Sequence, residues 1–248
     1  MHAFPGGGIP DRKMRSSRVS NKGWWIGGAI VAVVAIVVAL VVVSASGGDS
    51  AGDAASGEVS GVETALALTK GIPQAGFTIG KASAPVTVRE FIDPQCPVCK
   101  TASEDTLPDL VKGPVKDGTA KIVIEPLTFL GSDSSTAALA IAAAAQQDKG
   151  FVYSEIVLAN QGKENSGWAT EELLTGIAQA IPGMDVEAWT TARGSDKAAN
   201  DLFAVSDRAS AAGANSTPTF VITGPGGSTT LVGAQEPAAV IAAIKDVS

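Results

Sequence analysis

Apolar side chains recur along residues 71–248 in runs that predict strands at both ends of this region and helices between them. Residues 86–92 are rich in β-branched side chains, and residues 121–127 form a nearly continuous branched apolar run, which is typical of a buried strand. The predicted strands are residues 77–80, 86–92, 121–127, 219–223 and 229–233. Glycine-rich residues 224–227 predict a hairpin turn between the last two strands.

Helical periodicity occupies most of the remaining sequence. Leu173, Leu174 and Ile177 share one face of a helix that ends before Pro182. Gly213 suits the position just after the end of a longer helix, where glycine is common. The predicted helices are residues 97–113, 132–147, 151–160, 170–181, 185–192, 195–213 and 237–245. This order predicts an α/β core interrupted by a helical insertion at about residues 131–205.

A different pattern precedes this region, because Trp24 to Val43 is a run of twenty residues without a charge. As a helix, such a run matches the thickness of a bilayer core, about 30 Å, and Trp24 and Trp25 stand where interfacial aromatics belong. A basic cluster precedes the run. The sequence therefore predicts a cytoplasmic basic tail at residues 1–23, a single transmembrane helix in the lipid bilayer of the cell membrane at residues 24–43, and an exported remainder.

A cleaved signal peptide is the competing interpretation, since Val43-Ser44-Ala45 would be a passable cleavage site. The apolar run exceeds the about 7–15 residues of a signal peptide, which favours the anchor. Either interpretation places the cysteines outside the cytoplasm, where disulfide chemistry takes place. The composition after the run, largely small, polar and acidic, predicts a flexible linker at residues 44–70 and a folded domain at residues 71–248.

Charge is divided unevenly along the chain, whose net charge is −7. Residues 1–23 hold five basic residues and one acidic residue, whereas the remainder holds 13 basic and 24 acidic residues. An acidic main body argues against nucleic-acid binding. The only histidine is His2, which excludes Ser-His-Asp and Cys-His catalytic arrangements from the folded domain.

Both cysteines lie in one motif, Cys96-Pro97-Val98-Cys99, between the strand 86–92 and the following helix. Pro97 suits the first helical position, where its missing N–H costs nothing. Unpaired N–H groups and the helix dipole favour an anion at Cys96, and for a cysteine that anion is the reactive thiolate. Cys99, one turn further along, is placed to attack a mixed disulfide formed on Cys96. The motif predicts disulfide exchange.

Two other interpretations of the motif are weaker. A zinc site needs four ligands, and the chain has no further cysteine and only His2 as histidine, so neither a metal nor another cofactor is expected. A purely structural disulfide across two residues would restrain the unfolded chain very little.

Glu90 is unusual because, at strand period, it shares a face with Val86, Val88 and Ile92, six residues before Cys96. One interpretation is an edge-strand glutamate that reaches solvent. The other is a buried acid with a raised pKa that moves protons as the thiols change state.

The order of these elements, with Cys96-Pro97-Val98-Cys99 early and Ser216-Thr217-Pro218-Thr219-Phe220-Val221 late, resembles membrane-anchored bacterial DsbA-like thiol–disulfide oxidoreductases of the thioredoxin superfamily. The resemblance covers about residues 75–248 and includes Ala84-Pro85-Val86-Thr87-Val88 before Glu90. It implies a thioredoxin-like fold with a helical insertion.

The resemblance also implies roles for individual residues. Cys96 would be the exposed nucleophile and Cys99 the resolving thiol, with Pro218 as a cis-proline facing them. Thr217 would offer backbone hydrogen bonds to an extended substrate peptide, and Pro97 and Val98 would also contact the substrate. Glu90 falls where the family carries its buried acid.

One departure from the family bears on the direction of the reaction. Its strongest oxidants carry a histidine at the position of Val98, and valine can neither donate a hydrogen bond nor carry charge. Three functions stay open: an oxidase of exported cysteine pairs that a membrane redox partner reoxidises, a reductase of particular exported thiols, and a non-catalytic peptide-binding module. The helical insertion favours the oxidase, and Val98 weakens that preference.

Overall fold

One mixed sheet forms the centre of the protein in the computed structural model, which describes residues 59–248. Its strands are β1 (Gln74–Ala75), β2 (Thr78–Ile79), β3 (Val86–Ile92), β4 (Ala120–Pro126), β5 (Thr219–Gly224) and β6 (Gly227–Val232). Their order in the sheet is β1-β2-β4-β3-β5-β6; β3 and β4 are parallel, and the other pairs are antiparallel. The strand that leads to the cysteines, β3, is therefore central, and it was predicted with these bounds.

Helices cover the sheet and form the insertion between β4 and β5. They are α1 (Val62–Thr69), α2 (Pro97–Asp105), α3 (Leu107–Leu110), α4 (Ser132–Ala145), α5 (Gly150–Ala159), α6 (Glu171–Ala180), α7 (Val186–Arg193), α8 (Asp196–Ala212) and α9 (Pro237–Asp246). The segment Val111–Val115 follows α3 and is kinked at Gly113, whose backbone is not helical (φ −99°, ψ −106°). The predicted α/β fold with a helical insertion is thus present, and the insertion extends to the end of α8.

Helix α1 corrects the predicted end of the linker. The linker was expected to reach residue 70, but α1 packs Ala65 and the partly buried Val62 and Leu66 into the core of the insertion. These apolar residues form a buried helix face. It was not predicted because the residues before it have the composition of a linker. The folded part therefore begins upstream of Gly71.

The predicted helix at residues 97–113 also differs, because it divides at Thr106. Pro108 has no N–H to donate to the preceding turn, so one continuous helix cannot form there. Thr106 instead donates from Oγ1 to the carbonyl oxygen of Gln235. This break ties the end of α2 to the loop before α9.

The predicted tail, the transmembrane helix at residues 24–43 and most of the linker lie outside the described residues. Within residues 59–248, no helix combines the length and apolar character needed to cross a membrane.

Two apolar cores position the site. One contains Val88 and Ile92 of β3 together with Cys99 and residues of α9. The other joins the insertion helices around Trp189, which is fully buried and donates from its indole nitrogen to the carbonyl oxygen of Ala140 at 3.0 Å. Because α5 contributes to both cores, it fixes the insertion against the helix that carries the cysteines.

Candidate active site

The two cysteines occupy the start of α2. Cys96 is the residue that caps the helix, in an extended conformation (φ −75°, ψ 115°), and Pro97 is in its first turn. The backbone N–H of Cys99 donates to the carbonyl oxygen of Cys96 at 3.0 Å. Both side chains are free thiols. The predicted strand–cysteine–helix arrangement is therefore present.

The loop before β5 lies directly against Cys96. The Thr217–Pro218 peptide bond is cis, and the Cys96 Sγ atom lies 3.4 Å from the carbonyl oxygen of Thr217. The fold thus brings together residues 121 positions apart in the chain. Pro97 and Val98, which were also predicted at the site, directly follow Cys96 and are exposed.

The exposure of Cys96 differs from what the resemblance implies. The residue is only 6% exposed, and Cys99 is fully buried. The carbonyl oxygen of Thr217 contacts its sulfur, the amide of Gln161 contacts its backbone, and Cys96 belongs to the apolar core around β3. Val98, in contrast, is 44% exposed.

Hydrogen bonding and burial give the two thiols very different pKa values. The Cys99 thiol is the largest cause that lowers the pKa of Cys96 to about 6, with help from Thr217 and the backbone N–H groups of Val98 and Cys99, against the opposing effect of burial. Burial is the main cause that raises the pKa of Cys99 far above its ordinary value, followed by the bond to Cys96. One sulfur is therefore a thiolate at neutral pH, and its partner is a thiol.

Glu90 is a buried acid, and the solvent-exposed interpretation of it is wrong. Its strand is central, and the residue is 1% exposed. Burial, and then the charge of Glu155, raise the pKa of Glu90 well above its ordinary value.

Glu155 is a second buried acid that the sequence analysis missed. It lies on α5, is 6% exposed, and its Oε2 atom accepts a hydrogen bond from the Ser103 hydroxyl at 2.7 Å. Burial raises the pKa of Glu155 to about 7, although the Ser103 bond opposes this. A single carboxylate within the apolar run Phe151–Leu158 was the available signal.

Polar side chains hold the segment before Cys96 in place. Asp93, which is fully buried, accepts hydrogen bonds from the backbone N–H of Gln95 and the hydroxyl of Ser134 through Oδ1, and from the N–H of Leu130 through Oδ2. The amide of Gln161 donates to the carbonyl oxygens of Pro94 and Cys96. Ser134 and Gln161 were not predicted, since only the tertiary fold brings the insertion to this loop.

No cluster of three or more potential metal ligands occurs between residues 59 and 248. The site brings together two unlike thiols and a cis-proline loop, and two buried carboxyl groups lie on β3 and α5.

The two buried acids predict that stability falls as pH rises above about 4.5. Because the folded pKa values exceed the unfolded ones, each acid's contribution is complete below the unfolded pKa and is lost as pH rises through the folded pKa, about 7 for Glu155. Between about pH 5 and 6, Glu155 lowers the free energy of unfolding by at most about 1.4 kcal/mol per pH unit, and Glu90 acts in the same direction.

Urea unfolding of the wild type and of Glu155→Gln over this pH range checks the prediction. We expect the contribution that falls with pH to be smaller in the variant, by up to about 1.4 kcal/mol per pH unit, because one of the two groups no longer titrates. Parallel pH dependences in the two proteins would contradict it.

A family model described as thioredoxin matches residues 74–246. The chain belongs to the thioredoxin family. The probable disulfide bond formation protein D of Bacillus cereus is 35% identical over 113 residues, which cover 44% of this chain and 52% of that protein. The probable disulfide bond formation protein D of Bacillus anthracis is 31% identical over 150 residues, which cover 59% of this chain and 69% of that protein.

The matched segments thus span 52% of one curated relative and 69% of the other. The crystal structure of oxidised BdbD from Bacillus subtilis superposes with a TM-score of 0.61 at 24% identity, covering 70% of this chain and 95% of that one. This similarity confirms the predicted thioredoxin-like fold. Both curated relatives carry the name of a disulfide bond formation protein.

Proposed function

We propose that this protein is an extracytoplasmic thiol–disulfide oxidoreductase that oxidises cysteine pairs of exported proteins. One observation carries the proposal: at the start of α2, a cysteine with a pKa of about 6 lies one turn before a buried cysteine whose pKa is raised. The low pKa makes Cys96 a good leaving group, so a disulfide between the two cysteines would be readily passed on.

The proposed reaction proceeds through a mixed disulfide. A substrate thiolate attacks the Cys96 sulfur of the Cys96–Cys99 disulfide, and Cys99 leaves with the electron pair and takes up a proton. A second substrate thiolate then attacks the substrate sulfur bound to Cys96. The substrate disulfide forms, and Cys96 leaves as the thiolate that its surroundings stabilise.

The exposed residues around Cys96 are proposed to bind the substrate. Pro97 and Val98 follow Cys96 in the chain and are exposed, the Thr217 carbonyl oxygen lies 3.4 Å from the Cys96 sulfur, and Phe129, in the loop after β4, is 54% exposed. We propose that backbone groups of Thr217 pair with an extended substrate segment as an added strand would. Such backbone pairing depends little on the substrate's sequence and therefore tolerates many substrates.

The proposed location rests on the sequence, and the proposed redox partner rests on the resemblance to the family. The apolar run at residues 24–43 and the basic residues before it support a membrane anchor with the domain outside the cytoplasm. A membrane redox partner would reoxidise the reduced thiols. Protease protection of the full chain in intact cells tests this topology: we expect cleavage of residues 71–248 from outside, and complete protection would contradict it.

A reductase is the second candidate, because the side chain of Val98 offers the thiolate neither charge nor a hydrogen bond. The reduction potential of the Cys96–Cys99 couple decides between the two. Strong oxidases of this superfamily lie near about −120 mV and thioredoxin near about −270 mV. A value toward the former supports the proposed oxidase, and a value at or below the latter would overturn it.

Val98→His is expected to make the couple more oxidising. An imidazole at this exposed position can donate a hydrogen bond or carry positive charge beside Cys96, which stabilises the thiolate of the reduced form. Equilibration with glutathione should give a potential higher than that of the wild type by about 30 mV or more. Val98→Leu, which lacks these properties, is the control; equal shifts in both variants would contradict the prediction.

A further inference from the structure

Gln161, the first residue after the cap of α5, joins the helical insertion to the cysteine motif. Its side-chain amide donates to the carbonyl oxygen of Pro94 at 2.7 Å and to that of Cys96 at 3.1 Å. An amide group carries two N–H donors, so one side chain can make both bonds at once. The two acceptors lie on either side of Gln95, where the chain passes from β3 to α2.

The two carbonyl oxygens belong to different local structures. The N–H of Cys96 donates to the carbonyl oxygen of Asp93 at 2.9 Å, which closes a turn after β3. The carbonyl oxygen of Cys96 instead accepts the N–H of Cys99 at 3.0 Å, at the start of α2. Gln161 therefore fixes the orientation of the turn relative to the helix, and Cys96 is the residue at which the two meet.

The backbone that carries Gln161 is held from two sides. The ammonium group of Lys100, on α2, donates to the carbonyl oxygen of Ala159 at 3.2 Å. The side chain of Asn160 accepts from the N–H of Ser60 at 2.9 Å and donates to the carbonyl oxygen of the same residue at 2.8 Å. The Gln161 amide is thus presented to the cysteine motif from a fixed segment.

Other contacts keep the turn before Cys96 folded without Gln161. The Asp93 carboxylate accepts three hydrogen bonds, and the Gln95 side chain accepts the N–H of Asn165 at 2.6 Å. Loss of the two Gln161 bonds should therefore loosen the position of Cys96 without unfolding the segment around it.

The position of Cys96 decides what its sulfur faces. The sulfur lies 3.4 Å from the carbonyl oxygen of Thr217. Its anion is stabilised first by the Cys99 thiol and then by further donors, among them the backbone N–H groups of Cys99 and Val98. Donors stabilise a charge most when they are already oriented before it appears. A displacement of Cys96 relative to α2 would weaken these interactions.

We propose that Gln161 is a positioning residue, which holds the Cys96 backbone against the first turn of α2, where the thiolate is stabilised. This inference rests on the proposed thiol–disulfide exchange and gives the helical insertion a part in it. The insertion thereby influences how oxidising the cysteine couple is, through hydrogen bonds to the backbone instead of a group beside the sulfur.

The pKa of Cys96 in Gln161→Met tests the inference, measured from thiolate absorbance in the reduced full-length chain in detergent. Methionine is unbranched and flexible like glutamine but offers no hydrogen-bond donor. We expect the pKa of Cys96 to rise from about 6 to about 7, an about tenfold loss of thiolate at pH 5. At pH 7 the equilibrium with glutathione should shift about fivefold toward the disulfide, which corresponds to a potential lower by about 20 mV.

Gln147→Met is the matched control. The Gln147 side chain also joins two backbone groups in the insertion, but these are the N–H and the carbonyl oxygen of Asp185 instead of the cysteine motif. The control should leave the pKa of Cys96 near its wild-type value of about 6. An unchanged pKa in Gln161→Met, or an equal rise in Gln147→Met, would overturn the inference.

Gln161→Asn is a second variant, which keeps the amide but is one methylene group shorter. It should reach only one of the two carbonyl oxygens, so we expect a pKa of Cys96 between those of the wild type and Gln161→Met. If Gln161→Met does not fold, Gln161→Asn decides: a raised pKa supports the positioning role, and a wild-type pKa rejects it.

Failure of this inference is distinguishable from failure of the proposed function. If the pKa of Cys96 is about 6 in the wild type and in Gln161→Met alike, only the role of Gln161 is rejected. If the wild-type thiols do not exchange disulfides with glutathione at pH 7, the exchange chemistry itself is rejected.

Discussion

Cys96→Ser is expected to abolish disulfide exchange, with a loss of at least about a thousandfold in the rate of oxidation of a reduced model peptide. A hydroxyl cannot form the mixed disulfide, and the remaining thiol, Cys99, is fully buried. The rate of disulfide formation in the peptide, followed by mass spectrometry, measures the effect.

Cys99→Ser is the matched control. It keeps the Cys96 thiol but removes the resolving sulfur, so mixed disulfides on Cys96 should accumulate rather than vanish. Exchange by Cys96→Ser at more than a tenth of the wild-type rate would contradict the assignment of the nucleophile. A Cys96→Ser protein that lost exchange but still performed its cellular role would favour the peptide-binding module.

Trp189→Ala is expected to destabilise the protein by about 3–5 kcal/mol, as large-to-small changes in well-packed cores do. Trp189 is the largest fully buried side chain of the described residues. It stacks near Tyr153, with ring centroids 5.7 Å apart, and the Arg193 guanidinium lies 4.7 Å from its ring. Removal opens a cavity among the insertion helices and leaves the Ala140 carbonyl oxygen without the indole donor.

Denaturant unfolding measures this loss, with Phe203→Ala as the control. Phe203 lies on α8 and is 69% exposed, so its truncation should change the free energy of unfolding by no more than about 0.5 kcal/mol. Equal losses in the two variants would show that the insertion core does not contribute as its burial indicates.

Local signals explain why the centre of the fold could be predicted. Strand β3 has Val86, Val88 and Ile92 on one buried face, and the proline after Cys96 marks the start of a helix. These features depend on neighbouring residues alone. The hairpin of β5 and β6 was likewise predicted from its glycine-rich turn, and the pairing of Gly224 with Gly227 confirms it.

Long-range packing explains what the sequence left open. Whether Glu90 faces solvent depends on which strands pair with β3, and the motif does not specify those strands. Glu155 and Gln161 reach the site only because α5 and the loop after it pack on α2. The short strand β1, with two residues, gives too little periodicity to detect.

Proline and small residues explain the errors in element bounds. Pro108 divides a helix whose apolar periodicity continues through it. Helix α1 follows a stretch of small polar residues, and its apolar face is recognisable only once the insertion provides its partner.

Titration of the thiolate absorbance at 240 nm in the reduced wild type, with Cys96→Ser as the blank, tests the central claim most directly. The claim is that the start of α2 holds one sulfur as an anion while its partner stays protonated. We expect one thiolate to appear with a pKa of about 6 and none from Cys99 below pH 9. A titration midpoint at or above about 8.5, the value of a free cysteine, would contradict the account.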